Sequence, residues 1–373
     1  MRNIVGLFFI LGEVMEQNKT LYLNHYQIDP AKSFEVDVKD YDLVSYQPPQ
    51  LSKARKPMKV PISIEQMLIK FKEDGWDFSE NEEIACRSLL QEVNFYTFKH
   101  YAKKERVKTF SATKSVYDFD MFLQSNLQEL TSMIEKFIRT VTVDSLSCYY
   151  DSQERIYDSA QFYLDDCLYF SETGKQKRRP QREKEIKHIQ YGFFKTCDNN
   201  KEYPPVKKEL DSYGAVSAWV LFDLITFGQM SFFFSKLVPE YKKVVVSSLN
   251  EMNCFNERIT DKLLSSWINA IRALRNKVSH GMKVYGEPFT VQGKVHDKDK
   301  EYLSAIPETK QNYLVNVLLA MRRIVMCMSQ SKQEFWNEKM CGIAEYIESD
   351  GVLSEESLGL TDNWLKYFLI EYK

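Results

Sequence analysis

The feature that most constrains this chain is a run of apolar residues at helical spacing between residues 118 and 141. The apolar positions recur every three or four residues, which is the period of one face of an α-helix. They are Phe122, Leu123, Leu127, Leu130, Met133, Ile134, Phe137, Ile138 and Val141. A helix of this length buries such a face only against other elements, so the run predicts a long helix within a larger core.

The composition extends this prediction to the whole chain. Among 373 residues there are only 13 Gly and 11 Pro, against 24 Phe and 22 Tyr. So few turn-forming residues favour long helices over a turn-rich β fold. Helical patterns also occur in residues 151–171, 261–281 and 309–329, and residues 214–237 predict a core helix that bends near Gly228. We therefore predict an all-α fold.

Residues 62–104 predict a helical hairpin. Gly75 ends the first helix, and Ser79 can cap the second by accepting a hydrogen bond from a backbone N–H. The apolar face of the second helix is predicted to hold Ile84, Leu89, Leu90 and Val93.

Charge and cysteine content exclude several classes of protein. The formal net charge of −2 at pH 7 does not indicate a polyanion partner, so any nucleic-acid surface must be local. The seven Cys are odd in number and form no Cys-x-x-Cys pair, which argues against a disulfide framework or a structural zinc site. We expect a reduced, cytoplasmic protein without a metal or other cofactor.

The N-terminal residues 4–12, IVGLFFILG, form an apolar segment behind Arg2. The segment is too short to span a bilayer, and no small-residue cleavage pattern follows it. We expect either a short buried segment or an over-long gene start, with Met15 as the alternative start, and no membrane association.

Residues 272–286, RALRNKVSHGMKVYG, place Arg275, Asn276 and His280 at the end of an apolar helix. Five residues of helix correspond to about 7.5 Å of rise and roughly 140° of rotation, so Arg275 and His280 do not stack as a metal-binding pair would. Arginine matches phosphate oxygens and histidine exchanges protons near neutral pH, and phosphodiester transfer needs both functions. If RNA is the substrate, its own 2′-OH can be the nucleophile, and Asn276 can orient the imidazole or the RNA.

A basic stretch, residues 174–188, carries seven Lys and Arg against two Glu and indicates an exposed loop that leads into a helix. It is either a solvated linker or a surface that contacts phosphates. Its candidate RNA-binding residues are Lys177, Arg178, Arg179 and Arg182. Arg182 and His188 repeat the Arg…His spacing, but no apolar helix positions them and we assign this pair to solvent. The aromatic residues of 149–170 could stack on bases, although burial explains them more simply.

Four stretches of the chain resemble the Abi-like (abortive infection, Abi_2-type) family, whose members belong to the HEPN superfamily of helical nucleic-acid-processing proteins. The first two are the predicted hairpin with its terminal aromatic pair (62–101) and the Phe-Asp start and Glu-x-x-x-Arg end of 117–140. The others are the TFGQMS core of 218–237 and the Arg-Asn…His element of 266–281. The likeness covers approximately residues 60–330.

The resemblance implies a metal-independent endoribonuclease that leaves a 2′,3′-cyclic phosphate and serves in phage defence or toxin-like growth arrest. His280 would transfer the proton, Arg275 would clamp the phosphate and the transition state, and Asn276 would hold the polar position after the Arg. Glu135 and Arg139 match the family's Glu-x-x-x-Arg helix and would either support the motif or form a surface ion pair. Such sites form from two facing motifs and this chain has one, so a homodimer with a composite active site is implied.

The predicted organisation has four parts. They are an N-terminal extension, partly irregular (1–60), the helical hairpin (61–110), a HEPN-type multi-helix bundle with the basic insert (111–330) and a helical C-terminal tail (331–373). Within the bundle, TFGQMS is assigned to the core, where Gly228 allows a bend or close helix packing.

Two other functions stay open from the sequence. The chain could be a non-catalytic RNA-binding protein that houses a partner small RNA, or a protein-interaction component controlled by an antitoxin. The first would bind RNA without cutting it, and the second would bind no RNA at all.

Overall fold

The computed structural model describes residues 21–23, 43–45, 61–102, 109–152, 159–171, 174–253, 255 and 257–371. The chain divides into two units, Met1–Ser63 and Ile64–Lys373. In the first, strands β1 (Leu21–Leu23) and β2 (Leu43–Ser45) pair antiparallel, with Leu21 opposite Ser45. The apolar segment 4–12 lies outside the described residues.

The second unit is helical, and the predicted all-α fold is confirmed. Its α-helices are α1 (Ile64–Glu73), α2 (Glu80–Glu92), α3 (Phe95–Tyr101), α4 (Phe110–Asp151), α5 (Pro180–Asn199), α6 (Pro204–Tyr213), α7 (Ala218–Leu224), α8 (Phe227–Lys236), α9 (Pro239–Met252), α10 (Asp261–Ser279), α11 (Lys300–Ser304), α12 (Leu314–Val325), α13 (Gln330–Ser349) and α14 (Trp364–Phe368). Short 3-10 turns occupy Ser159–Leu164, Asp166–Leu168, Gly174–Gln176, Asp297–Asp299, Glu308–Lys310 and Glu355–Leu358. Within the described ranges, no helix combines the length and apolarity that a membrane crossing requires.

α4 is the central helix of this unit, because α3, α7, α9, α10, α12 and α13 all contact it. The Thr109 side chain caps its first turn, and no Gly or Pro interrupts its 42 residues. Leu127, Leu130 and Ile134 are fully buried, and burying one such side chain stabilises the fold by about 2 kcal/mol. The helix predicted over 118–141 is confirmed and extends further at both ends.

α1 and α2 form the predicted hairpin. Gly75 has φ +84°, a conformation that L side chains rarely adopt, and it lies just after the end of α1. Ser79 caps α2 through a capping box with Glu82. Ile84 is 63% exposed, so its predicted place on the apolar face is wrong. It lies two residues, roughly 200° around the helix, from Cys86, which is the residue that the hairpin buries.

The apolar run 214–237 holds two helices where one bent helix is predicted. Ile225 is extended, with ψ 151°, and Thr226 caps α8 through a capping box with Gln229. The break therefore precedes Gly228, because the Thr226 side chain satisfies the first N–H groups of a new helix. A Cβ at Gly228 would meet Thr226 Oγ1 at an ordinary 3.6 Å, so close packing does not require this glycine.

Residues 159–171 form short 3-10 turns in place of the predicted helix. The Asp165 carboxylate lies between these turns and accepts a hydrogen bond of 2.8 Å from the Tyr150 hydroxyl. A short acceptor side chain that binds neighbouring donors competes with the helical backbone pattern. Phe162 and Tyr169 are fully buried, which agrees with burial as the explanation of the aromatic residues here.

The C-terminal residues pack into the same core. Trp336 of α13 and Phe368 of α14 are fully buried, and the Trp336 indole N–H donates to the Phe368 carbonyl over 2.9 Å. α13 also contacts α4. The segment predicted as a tail (331–373) is therefore part of the bundle over its described residues.

Candidate functional site

α10 carries the Arg-Asn…His motif at its C-terminal end. The helix begins after Thr260, whose side chain accepts a hydrogen bond from the Leu263 N–H. Its buried face is made of Leu264, Trp267, Ile268, Ala270, Ile271, Leu274 and Val278. The helix predicted over 261–281 is confirmed, and Arg275 lies at the edge of this buried face.

The end of α10 is fixed by its backbone. Gly281 has φ +61° and donates to the Val278 carbonyl, while the Met282 N–H donates to the Lys277 carbonyl, each over 3.0 Å. These two bonds are the Schellman pattern, which needs a left-handed residue and therefore favours Gly at this position. His280 is the residue just before that glycine, and its own N–H donates to Asn276. The histidine is thus held at a rigid helix end.

Two side-chain contacts connect α10 to α4. The Ser279 hydroxyl donates to Gln128 Oε1 over 2.7 Å, and Arg275 Nε lies 3.4 Å from Glu135 Oε2. Along α4 the contacts run from Gln128 to Glu135, whereas along α10 their partners run from Ser279 back to Arg275. The two helices are therefore antiparallel. The Arg-Asn…His element and the Glu-x-x-x-Arg element therefore meet in space.

Glu135 lies between two guanidinium groups. Its side chain is 8% exposed, and it pairs with Arg139 one turn later on α4 as well as with Arg275. Arg139 is 12% exposed. Burial lowers the pKa of the Arg139 guanidinium, Glu135 opposes this shift, and the nearby Arg275 adds to it. The surface ion pair considered for Glu135 and Arg139 is therefore a buried pair, and Glu135 lies between two guanidinium groups.

Arg139 also joins this cluster to the break between α7 and α8. Its Nη2 donates to the Ile225 carbonyl over 2.7 Å and its Nη1 reaches the Asp223 carbonyl at 3.5 Å. These carbonyls end α7 and have no helical partner of their own. The TFGQMS stretch begins immediately after Ile225, so the third stretch of the resemblance borders the same cluster.

Arg275 and His280 are the accessible members of the cluster. The Arg275 side chain is 34% exposed, and its Nη1 reaches Asn276 Oδ1 at the long distance of 3.5 Å. The His280 side chain is exposed, and its ring has no hydrogen-bond partner among the described residues. The arrangement offers a partly exposed guanidinium held by a buried carboxylate, and the same helix end presents an exposed imidazole. These groups can bind a phosphate and transfer a proton.

Asp120 is the Asp of the Phe-Asp start of 117–140, to which the sequence assigned no role. Its carboxylate is 0% exposed and accepts hydrogen bonds from the Tyr101 hydroxyl and the Gln124 amide, each at 2.7 Å. It also accepts from the backbone N–H groups of Val284 and Tyr285, at 3.0 and 2.7 Å. It therefore fastens the loop that follows His280 to α4. The Phe-Asp pair at the start of the apolar run is the sequence signal for this residue.

The basic residues 177–182 are divided between internal contacts and solvent. Arg182 donates from Nε to the Tyr169 carbonyl over 2.9 Å and from Nη2 to the Lys236 carbonyl over 2.7 Å. Its assignment to solvent is therefore wrong, because its donors close the ends of neighbouring segments. Arg178 pairs with Asp166 at 2.7 Å, while Lys177 and Arg179 are exposed. RNA binding by these residues stays a prediction.

A family model for Abi-like proteins matches residues 88–286. The match spans 199 of the 373 residues and contains both α4 and the motif of α10. The chain belongs to the Abi-like family. Comparison with curated proteins and with solved structures gives no significant match.

The matched span of this Abi-like protein includes Glu135, Arg139, Arg275, Asn276 and His280. Within the described residues, no three His, Cys, Asp or Glu side chains converge as they would around a metal ion.

Proposed function

We propose that this Abi-like protein is a metal-independent endoribonuclease of the HEPN type that acts in phage defence by abortive infection. The observation that supports the proposal is the contact between Arg275 and the buried Glu135. It holds a partly exposed guanidinium at the helix end that also presents His280. A preorganised cation of this kind stabilises charge on a phosphate in the transition state.

The proposed reaction uses the RNA 2′-OH as the nucleophile. The 2′ oxygen forms a bond to the adjacent phosphorus while the bond to the 5′ oxygen breaks, which leaves a 2′,3′-cyclic phosphate and a 5′-OH. The proton of the 2′-OH goes to a base, and the departing 5′ oxygen receives a proton from an acid. His280 serves in this proton transfer, Arg275 binds the phosphate oxygens, and Asn276 orients them.

A single imidazole cannot act as base and acid on the same phosphate at the same moment. Two copies of the chain would supply two His280 imidazoles and two Arg275 guanidiniums to one site. We therefore propose a homodimer whose active site contains both copies.

The test is cleavage of a labelled single-stranded RNA in EDTA by wild type, His280→Ala and Arg275→Ala. We expect each substitution to lower the rate by about 100-fold or more, and the wild-type product to carry a 2′,3′-cyclic phosphate. Arg272→Ala is the matched control, because Arg272 lies on the same helix and its side chain contacts Asn269. Full activity of either variant would rule the proposal out. RNA that is bound but never cut would show a non-catalytic binding protein.

Light scattering on the same samples tests the dimer. An active wild-type protein that is a monomer at assay concentration would rule out the composite site while leaving the nuclease proposal standing.

A further inference from the structure

α5 has two apolar faces that differ in their surroundings. One face buries Ile186, Ile189 and Phe193 in the main core. On the opposite side, Tyr191 is 63% exposed and Phe194 is 57% exposed. Large aromatic rings that remain this exposed on a regular helix indicate a contact surface.

Cations surround these two rings. Between residues 184 and 195, the exposed residues on this side of the helix are Lys184, Lys187, His188, Tyr191, Phe194 and Lys195, and one turn further along the same side Asp198 is also exposed. At 100° per residue the first six fall within a sector of roughly 120°, and they extend over about 16 Å of the helix axis. We call these six residues the α5 stripe.

The acidic side chains of α5 do not neutralise the stripe. Glu183 pairs with Arg178 at 3.7 Å, Glu185 with Lys236, and Asp198 with Lys201 at 3.9 Å. Lys184, Lys187 and Lys195 have no ion-pair partner among the described residues. The stripe therefore presents a net positive charge beside unpaired aromatic rings.

We propose that the α5 stripe is a binding track for single-stranded RNA, and this inference rests on the proposed function because it names how the substrate is held. Single-stranded nucleic acids bind to surfaces on which cations follow the phosphates and aromatic rings stack on unpaired bases. An acidic protein partner would use the lysines but would gain no stacking from the two rings. The combination of exposed rings and cations at this spacing selects the nucleic acid.

The contacts on the other side of α5 lead back to the Arg275 cluster. The Gln229 amide donates to the Gly192 carbonyl and to Thr196 Oγ1 of α5, each over 3.3 Å. Gln229 closes the capping box with Thr226, and the carbonyl of Ile225 next to it accepts from Arg139. An RNA strand on the α5 stripe would therefore be bound by a helix that packs directly on the break between α7 and α8, where Arg139 donates to the Ile225 carbonyl.

The experiment measures binding to the His280→Ala protein, so that cleavage does not remove the probe. The probe is a fluorescein-labelled oligouridine of about 12 nucleotides, a length within the usual size of such sites, and a duplex RNA of equal length is measured beside it. Tyr191→Ala with Phe194→Ala removes the rings, and Lys184→Ala with Lys187→Ala and Lys195→Ala removes the charges. Controls are Tyr96→Ala with Tyr213→Ala, and Lys243→Ala with Lys262→Ala and Lys332→Ala, which remove exposed rings and exposed lysines elsewhere.

We expect the ring variant to bind oligouridine about 100-fold more weakly, or about tenfold for each ring, with duplex binding unchanged. The charge variant should lower the slope of log affinity against log salt by about 2, since each single-strand phosphate contact contributes about 0.7. Both control variants should bind as the parent does. If the ring variant bound oligouridine within twofold of the parent, the proposed RNA track would be overturned. An equal loss of affinity for duplex and single-stranded RNA would also overturn it. Because binding is measured apart from cleavage, an inactive protein that shows the expected losses would refute the nuclease and keep the track.

Discussion

Two buried carboxylates on α4, Asp120 and Glu135, differ in what they contact. Asp120 binds the loop that follows α10, and Glu135 binds a side chain of α10 itself. Asp120 is 0% exposed and accepts from four donors, two of them backbone N–H groups after His280. Glu135 is nearly as buried, but its partners are two guanidiniums, and one of them, Arg275, reaches the surface.

The difference separates a closed polar cluster, Asp120 with its four donors, from an open one, Glu135 with Arg139 and Arg275. At Asp120 every partner is itself buried or part of the backbone, so nothing is left to bind a ligand. At Glu135 one carboxylate is shared between two guanidiniums, and that of Arg275 remains partly exposed at the helix end that presents His280. Buried polar groups are normally satisfied within the protein, so a preorganised group that still faces solvent indicates a site.

The largest effect on stability is expected at the closed cluster. Asp120→Ala leaves buried donors of Tyr101 and of the backbone without an acceptor, which should lower the free energy of unfolding by about 3–5 kcal/mol. Urea unfolding of the two proteins measures this difference. Asp118→Ala is the control, since Asp118 is 41% exposed and pairs only with Lys114. A loss below about 1 kcal/mol for Asp120→Ala would contradict the conclusion that its four hydrogen bonds hold the loop to α4.

A smaller loss is expected at the open cluster. Glu135→Gln preserves the shape of the side chain but leaves Arg139 and Arg275 without the charge between them, and we expect a loss of about 2 kcal/mol. The control is Glu129→Gln on the same helix, because Glu129 is 50% exposed and pairs with Lys339 at the surface. Equal unfolding free energies for the two variants would show that Glu135 does not hold the guanidiniums.

The partly exposed carboxylate of Glu82 gives the comparison a third point. The Ser111 hydroxyl, followed by the backbone N–H and hydroxyl of Ser79, lowers the pKa of Glu82 to about 2 from the ordinary 4.5. A lowered folded-state pKa stabilises the fold above pH 4.5, and this stabilisation is lost as the pH falls towards 2. Because solvent screens the group, we expect Glu82→Gln to cost about 1 kcal/mol at pH 7. Unfolding midpoints of wild type and variant should converge between pH 4.5 and 2, and a gap independent of pH would be the contrary result.

The smallest effect on stability is expected at Arg275 itself. Its side chain is 34% exposed and, among the described residues, it forms an ion pair with Glu135 alone, so Arg275→Ala should change the free energy of unfolding by less than about 0.5–1 kcal/mol. Thermal unfolding checks this value. A loss as large as that of Glu135→Gln would mean that the guanidinium is structural.

The apolar patterns predicted most of the helices but not their ends. α4 and α10 are found where their spacing places them, because each carries a buried face with no Gly or Pro inside it. The break at Ile225 escaped prediction, since a capping box formed by Thr226 and Gln229 interrupts an otherwise continuous apolar run. Short polar side chains decided the local structure there, and their effect depends on geometry that hydrophobic periodicity does not contain.

The candidate site was predicted in its residues but not in its contacts. The spacing of Arg275 and His280 and the resemblance to Abi-like proteins identified the motif. That Glu135 is buried and touches Arg275 follows from the antiparallel packing of α4 and α10, and the sequence does not specify that packing. The role of Asp120 was not predicted for the same reason, because three of its four donors come from outside α4.

The central claim is that the Arg275 guanidinium, held by Glu135, is a phosphate-binding group and not a structural one. The most direct test measures RNA cleavage and the free energy of unfolding on the same preparations of wild type, Arg275→Lys and Arg275→Ala. We predict that both variants unfold within about 1 kcal/mol of wild type, that Arg275→Ala loses cleavage by about 100-fold or more, and that Arg275→Lys recovers only part of it because lysine lacks the planar fork. Cleavage at the wild-type rate by Arg275→Ala, in a protein that remains equally stable, would contradict the account.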